Sequence, residues 1–282
     1  MKRLKIAYIT SSDPKDKRSW SGTAHYIWKA LEKNVGDVEL IGPAEPTFTL
    51  FLAKIFQAFS IYICRKRFDF RHSTMVAKAY GRIFSKRIAD KHFDLIVAPA
   101  GVAYTSYLKT KVPVVLVLDR SLGNAFDYHS VLSNLWNFSR EQSLKTDKTA
   151  MEKAALVIFS SEWAAEHARN NYRISSEKIL VLPFGANLDE IPDEKTISYE
   201  FPKDEVRILF PATYWENKGG EMVYNCLLEL IKQKINAHVT VIGCVPPEKF
   251  SHQKMKVIPF LNKNEKEGAK ELEDIFRNAH FL

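Results

Sequence analysis

Residues 94–119, DLIVAPAGVAYTSYLKTKVPVVLVLD, contain two short runs, DLIVAPA and PVVLVLD, that are almost wholly apolar and rich in β-branched side chains. A strand with one solvated face alternates apolar and polar residues. A strand buried on both faces of a parallel sheet is instead a nearly continuous apolar run. The two runs therefore predict strands that are buried on both faces of a parallel sheet.

Similar runs flank this stretch on both sides: KIAYIT (5–10), VELIG (38–42), ALVIFSS (155–161) and KILVLPFG (178–185). Between the first two, apolar residues recur at i, i+3, i+4 and i+7, from Ala24 to Leu31, which is the pattern of one helix face. Strands that alternate with helices predict βαβ units and a doubly wound α/β sheet.

The pattern stops at a polar, acidic segment with two prolines and then restarts with RILFPAT (207–213), a helical stripe, HVTVIG (238–243) and MKVIPF (255–260). We predict two Rossmann-like doubly wound domains in tandem, at 1–188 and 206–282, joined by a linker at 189–205. The last residues, RNAHFL, have the pattern of half a strand, so we expect the second domain to be incomplete.

Charge, cysteine content and missing motifs limit the classes of function that fit this sequence. The 282 residues carry a net charge of +8, which favours anionic partners. The 41 Lys and Arg residues are spread along the chain, however, which argues against nucleic-acid binding. Three scattered cysteines and the lack of a signal peptide predict a reducing, cytoplasmic setting. The sequence lacks D-x-D, H-E-x-x-H, C-x-x-C, G-x-S-x-G and G-x-G-x-x-G, so no metal or dinucleotide cofactor is expected.

Three segments are expected at the carboxyl ends of strands, where doubly wound sheets bind ligands. The loop SWSGTAHY (19–26) contains Gly22, which would let the backbone approach a ligand closely. Asp119 follows the fourth predicted strand, as a site residue or as a helix cap. If the two domains face each other, the Gly22 loop, the segment that contains Asp119 and FPATYWENKGG (210–220) would line one cleft.

Lys218 stands where a helix is about to begin, although the positive end of the helix dipole mildly repels a cation. One hypothesis is that a bound phosphate attracts both the lysine and the helix terminus. The alternative is a solvated loop lysine. The order of residues is not that of a Walker loop.

Four stretches together resemble the retaining glycosyltransferases of family 4: SWSGTAHYIWKALEK, VIFSSEWAAEHARNNY, KILVLPFGAN and LFPATYWENKGGEMVYNCLLEL. The resemblance implies the metal-independent, two-domain GT-B fold. It also implies transfer of a hexose from a nucleotide-diphosphate-sugar donor to a glycan or lipid-linked acceptor, with retention, in polysaccharide or cell-envelope synthesis.

The same resemblance implies roles for individual residues. In the first domain, Gly22 and its neighbours Ser21 and Thr23 would approach the donor diphosphate, and Asp119 would lie beside the reacting sugar. Gly185 and Asn187 of PFGAN would be structural, at the interdomain edge.

In the second domain, Lys218 and Gly219 match the family's diphosphate-binding loop. The usual arginine is replaced by Thr213 or Asn217, and Leu261 and Asn262 would touch the nucleobase. The family's downstream E-x7-E motif is missing from this sequence, so we expect little activity from the chain as given.

The segment FTLFLAKIFQAFSIYICRKRF (48–68) combines aromatic and aliphatic residues with Arg65, Lys66 and Arg67. Such a segment is typical of a helix that lies in a membrane interface and is attracted to anionic lipids, here at the inner face of the membrane. The alternative is an ordinary buried helix followed by solvated charges. Two alternative functions also remain, a sugar-nucleotide epimerase and a non-catalytic anion- or nucleotide-binding protein of the same fold.

Overall fold

The computed structural model describes residues 3–128, 130–189, 193 and 204–282. The chain divides into two compact units, unit 1 at Met1–Asn187 and unit 2 at Leu188–Leu282. Most of the linker predicted at 189–205 lies outside the described residues.

Unit 1 is built on a parallel sheet of six strands with the order β2-β1-β3-β4-β5-β6. The strands are β1 (Leu4–Tyr8), β2 (Gly36–Leu40), β3 (Leu95–Pro99), β4 (Val114–Leu118), β5 (Leu156–Phe159) and β6 (Ile179–Val181). The helices are α1 (Thr23–Asn34), α2 (Thr47–Cys64), α3 (Thr74–Ile88), α4 (Val102–Thr105), α5 (Leu122–Ala125), α6 (Asn137–Lys153) and α7 (Glu162–Tyr172).

Both faces of this sheet are buried, which explains why its strands are continuous apolar runs. In β4, Leu116 and Leu118 point into the larger core, whereas Val117 points into a second core on the opposite face. In β1, Ile6 and Tyr8 belong to the second core, which also contains Trp28 of α1. The prediction of a doubly wound parallel sheet is confirmed.

Unit 2 contains a parallel sheet with the order β7-β8-β9, formed by Val206–Pro211, Ala237–Ile242 and Met255–Ile258, together with α8 (Gly220–Lys232) and α9 (Lys266–Asn278). Its core is centred on Trp215, Leu227 and Val239. On the side of β7 away from β8, Phe281 forms a parallel bridge to Ile208. The chain order across this sheet is therefore that of half a Rossmann fold, and the predicted fold class of two Rossmann-like units is confirmed.

Each sheet has a switch point. This is the place between two neighbouring strands from which the connections that follow run in opposite directions. In unit 1 it lies between β1 and β3, and in unit 2 between β7 and Phe281. Ligands of open α/β sheets bind outside the carboxyl ends of the strands at such points. The loops after β1 and β7 are the ones that carry Gly22 and Lys218.

Candidate functional site

The loop after β1 has a strained backbone. Trp20, Ser21 and Gly22 all have positive φ angles, of 48°, 57° and 94°. Only glycine adopts this region without steric cost, so the first two residues store strain that the surroundings must hold. Gly22 is also the N-cap residue of α1, which begins at Thr23.

The segment after β6 holds this loop in place. The Asn187 side-chain amide donates hydrogen bonds to the Ser21 carbonyl and to the Thr23 hydroxyl, both at 3.1 Å. The ring of Phe184 packs edge-on against Trp20, with 5.5 Å between centroids. Asn187, one of the two PFGAN residues predicted to be structural, thus contacts the predicted donor loop of unit 1.

Asp119 comes directly after β4, at the same edge of the sheet as the Gly22 loop. Its carboxylate accepts a hydrogen bond from Arg120 at 2.8 Å, and its side chain is 40% exposed. The next helix, α5, is capped by the Ser121 hydroxyl instead. The helix-cap interpretation of Asp119 is therefore wrong, and a half-exposed carboxylate remains at this edge.

A buried polar cluster next to Asp119 was missed at the level of the sequence. Asp147 of α6 accepts hydrogen bonds from the Leu122 amide at 2.7 Å and from the Tyr172 hydroxyl at 2.9 Å. Burial raises the pKa of the Asp147 carboxyl to about 6. The Ser121 hydroxyl lies 2.8 Å from Nδ1 of His167, and burial lowers the pKa of that imidazole.

A second cluster lies between the start of α3 and α6. Asp69 is buried, contacts Nδ1 of His72 at 2.8 Å and accepts a hydrogen bond from the Ser143 hydroxyl at 2.8 Å. Burial would raise the pKa of Asp69, but His72 and Ser143 together lower it. Burial would lower the pKa of His72, but the nearby carboxylates raise it. The hydrogen bond from Ser143 therefore ties the segment before α3 to α6.

In unit 2, Lys218 ends a single turn of 3-10 helix, Glu216–Lys218, and only Gly219 separates it from α8. The start of α8 receives no hydrogen bond from a side chain. Lys218 is exposed, and no ion pair or hydrogen bond of its side chain is seen in the described part of the chain. An exposed cation thus stands beside the positive end of a helix dipole, where the Gly219, Gly220 and Met222 amides donate to backbone carbonyls.

Different features of the structure explain why glycine occupies the two positions after Lys218. Gly219 has φ of 78°, and a Cβ placed on it would meet nothing within 4 Å, so the space in front of α8 is open. A Cβ on Gly220 would lie 2.1 Å from the indole of Trp215, which is buried between Phe210 and Phe250. Gly220 is therefore explained by packing.

The remaining predicted donor residues are divided between two loops. Thr213 and Asn217 are exposed in the loop after β7, near Lys218 in the chain. Leu261 and Asn262 follow β9, at the same edge of the sheet. The Asn262 side chain donates to Glu265 at 2.6 Å and accepts from the Asn264 amide at 3.2 Å, so it already serves the turn before α9.

Exposed aromatic side chains occur in these same two loops. Tyr214 follows β7 and is 66% exposed, and Phe260 follows β9 and is 61% exposed. Neither was identified from the sequence. Aromatic faces next to an anion-attracting terminus suit a planar nucleobase, because such faces stack on bases.

A cavity of about 450 Å³ lies elsewhere in unit 2, between the sheet and α9. Arg207, Thr240, Lys256, Lys270 and Asp274 are among its lining residues. None of the predicted donor residues lines it, so it does not coincide with the carboxyl-edge site. Among the residues described, no three His, Cys, Asp or Glu side chains form a metal-binding group.

Comparison with known proteins gave a match to the model of a protein family. The family model described as Glycosyltransferase Family 4 matches residues 23–190, more than half of the chain. The match begins directly after Gly22 and includes Asp119 and Asn187. A search of curated protein sequences gave no match.

Solved structures show similarity of fold at low sequence identity. A trehalose 6-phosphate synthase from Burkholderia multivorans is 13% identical, with 94% of this chain and 75% of that chain covered and a TM-score of 0.50. A UDP-N-acetylglucosamine 2-epimerase from Rickettsia bellii is 12% identical, with coverages of 95% and 72% and a TM-score of 0.48. A glycosyltransferase from Rickettsia africae is 15% identical, with coverages of 92% and 68% and a TM-score of 0.47.

Proposed function

This chain belongs to glycosyltransferase family 4, and on that basis we propose that it transfers a hexose from a nucleotide-diphosphate-sugar donor to a sugar acceptor. The transfer retains the anomeric configuration and needs no metal ion. The acceptor is a growing glycan or a lipid-linked sugar of polysaccharide or cell-envelope synthesis, and the reaction takes place in the cytoplasm. The exposed free thiols of Cys64 and Cys226 fit a reducing compartment.

The observation that supports this function most directly is the position of Lys218. Cleavage of the glycosyl–phosphate bond leaves growing negative charge on the departing nucleoside diphosphate. A fixed cation and helix-terminal amides can stabilise that charge without a metal. Lys218 supplies the cation, the start of α8 supplies the positive end of a helix dipole, and the space at Gly219 is open.

Asp119 has a supporting role in this proposal. As the C–O bond breaks, positive charge develops at the anomeric carbon, and a nearby carboxylate stabilises it electrostatically. The ion pair with Arg120 fixes the orientation of the Asp119 carboxylate. We therefore assign Asp119 to positioning and charge stabilisation, without a covalent step.

The first test is a calorimetric titration with UDP, GDP and their sugars in the presence of a chelator. We expect saturable binding of one nucleotide, weakened at least about tenfold in Lys218→Ala because a charge-assisted contact to phosphate is lost. Lys232→Ala is the matched control, since Lys232 lies at the opposite end of the same helix. Equal weakening in both variants, or binding that requires a divalent cation, would refute the proposed site.

A second assay separates the alternative functions. Purified protein is incubated with the bound nucleotide sugar, with and without a lipid-linked acceptor, and the products are analysed by NMR. An α- or β-glycoside with the donor's configuration supports transfer with retention. A free epimer formed without acceptor would indicate an epimerase, and tight binding with no product would indicate a non-catalytic protein.

A further inference from the structure

Helix α2 of unit 1 carries an apolar face that points away from the protein. We call this surface the α2 face; its residues are Phe48, Phe51, Leu52, Ile55, Phe56, Phe59, Tyr62 and Ile63. These side chains are between 42% and 83% exposed. At 100° per residue they fall within about 140° of the helix circumference, so they form one continuous stripe. The alternative of an ordinary buried helix is therefore wrong, as only 17% of its residues are buried.

The opposite side of α2 attaches the helix to unit 1. Leu50 and Ala53 are buried in the main core. The Ser60 hydroxyl, also buried, donates to the Lys66 carbonyl at 2.6 Å and accepts from the Trp136 indole at 2.7 Å. The Gln57 side chain accepts a hydrogen bond from the Phe68 amide. A surface helix normally turns its apolar side inward and its polar side to water, and here most of that arrangement is reversed.

This attachment argues for a helix that lies along a membrane rather than across it. In the described part of the chain, α2 is the helix long and apolar enough to span a bilayer by length and composition. Its 18 residues extend about 27 Å, slightly less than the roughly 30 Å of hydrocarbon in a typical bilayer. A spanning helix would also have to leave the core contacts of Leu50 and Ala53.

The charges around α2 match an anionic lipid surface. Residues 46–68 contain Lys54, Arg65, Lys66 and Arg67 and no acidic residue. Of the two carboxylates that flank this segment, Asp69 is buried and paired with His72, whereas Glu45 is exposed. Basic residues beside an apolar helix face are drawn to the negative surface potential of phospholipid headgroups.

We propose that the α2 face docks on an anionic phospholipid bilayer, with α2 in the plane of the interface and its aromatic and aliphatic side chains at the boundary between headgroups and acyl chains. Lys54 and the 65–67 cluster contact the headgroups. The edge formed by Leu50, Ala53 and Ser60 stays on unit 1. Docking needs neither donor nor acceptor, so it can fail or succeed independently of the proposed sugar transfer.

Co-sedimentation with vesicles tests the docking surface. The full chain is mixed with phosphatidylcholine vesicles that contain roughly 30% phosphatidylglycerol, and with vesicles of phosphatidylcholine alone. We expect binding that is stronger with the anionic lipid and weaker in about 0.5 M NaCl. Phe51→Ser with Phe59→Ser should lower the partition coefficient at least about tenfold, because apolar area enters the interface.

Two further variants control for charge and for general hydrophobicity. Lys54→Gln with Arg65→Asn should weaken binding several-fold to the anionic vesicles only; Asn is chosen because Arg65 has a positive φ of 52° that asparagine tolerates. Phe276→Ser removes an exposed aromatic residue of α9 in unit 2 and should leave binding unchanged. Circular dichroism confirms that each variant is folded.

Spin labels placed singly along α2 distinguish the modes of contact. For a helix in the interface, label depth oscillates with a period of about 3.6 residues, whereas for a spanning helix it peaks once at mid-helix. Equal binding by wild type and the Phe51/Phe59 variant would overturn the proposal. So would a spanning profile, or a dimer in solution that the same variant dissociates while vesicles are not bound.

Discussion

The buried carboxyl of Asp147 makes the stability of the protein depend on pH in a defined direction. Because burial raises its folded-state pKa from 3.8 to about 6, the carboxyl ionises more readily in the unfolded chain. Folding is therefore penalised as pH rises through that interval, and the stability present below it is lost above it. A shift of this size corresponds to at most about 3 kcal/mol at pH 7.

Asp147→Asn removes the ionisation while leaving an oxygen to accept from the Leu122 amide and the Tyr172 hydroxyl. The stability of the variant relative to wild type should therefore rise with pH. From the same two pKa values, about 2 kcal/mol of this change falls between pH 4.5 and 7.5. Asp90→Asn, at an exposed position of unit 1, is the matched control.

Urea unfolding of the three proteins at several pH values, followed by circular dichroism, measures this difference. A relative stability of Asp147→Asn that is flat or falls with pH would refute the reasoning. A rise of the same size in the Asp90 control would also refute it, because the effect would then not come from burial. In the variant, an amide NH2 group replaces the second carboxylate oxygen. The cost of burying this group does not depend on pH, so it shifts the curve of stability against pH without changing its slope.

Three other changes have defined outcomes. Gly220→Ala should lower the free energy of unfolding by about 1–3 kcal/mol in urea titrations, because its Cβ overlaps the buried Trp215 ring. Thr213→Arg should tighten binding of the preferred nucleotide roughly tenfold by calorimetry, since it supplies a bidentate cation at one of the two positions where the family resemblance expects an arginine. Asn187→Ala removes two hydrogen bonds to the loop of residues 20–23; we expect about 1–2 kcal/mol less stability and faster hydrogen exchange in that loop.

The sequence by itself determined the layers of the fold and the place of its most informative lysine. Runs such as PVVLVLD are apolar at every position because both faces of the sheet are covered, and this requirement is visible residue by residue. Lys218 was located by the same kind of evidence, since the end of a strand-like run and the start of a helical stripe are local patterns. Local periodicity was sufficient because the contacts that it reflects repeat every two or every 3.6 residues.

Only the tertiary structure decided which side of each element meets which partner. The apolar composition of α2 is the same whether its face is buried or exposed, and its outward orientation depends on contacts with Trp136, some 76 residues further along the chain. Asn187 likewise reaches a loop 164 residues before it, and Gly220 owes its identity to the ring of Trp215. Such contacts join residues whose separation follows no period, so no local pattern encodes them, and the chain must fold before they exist.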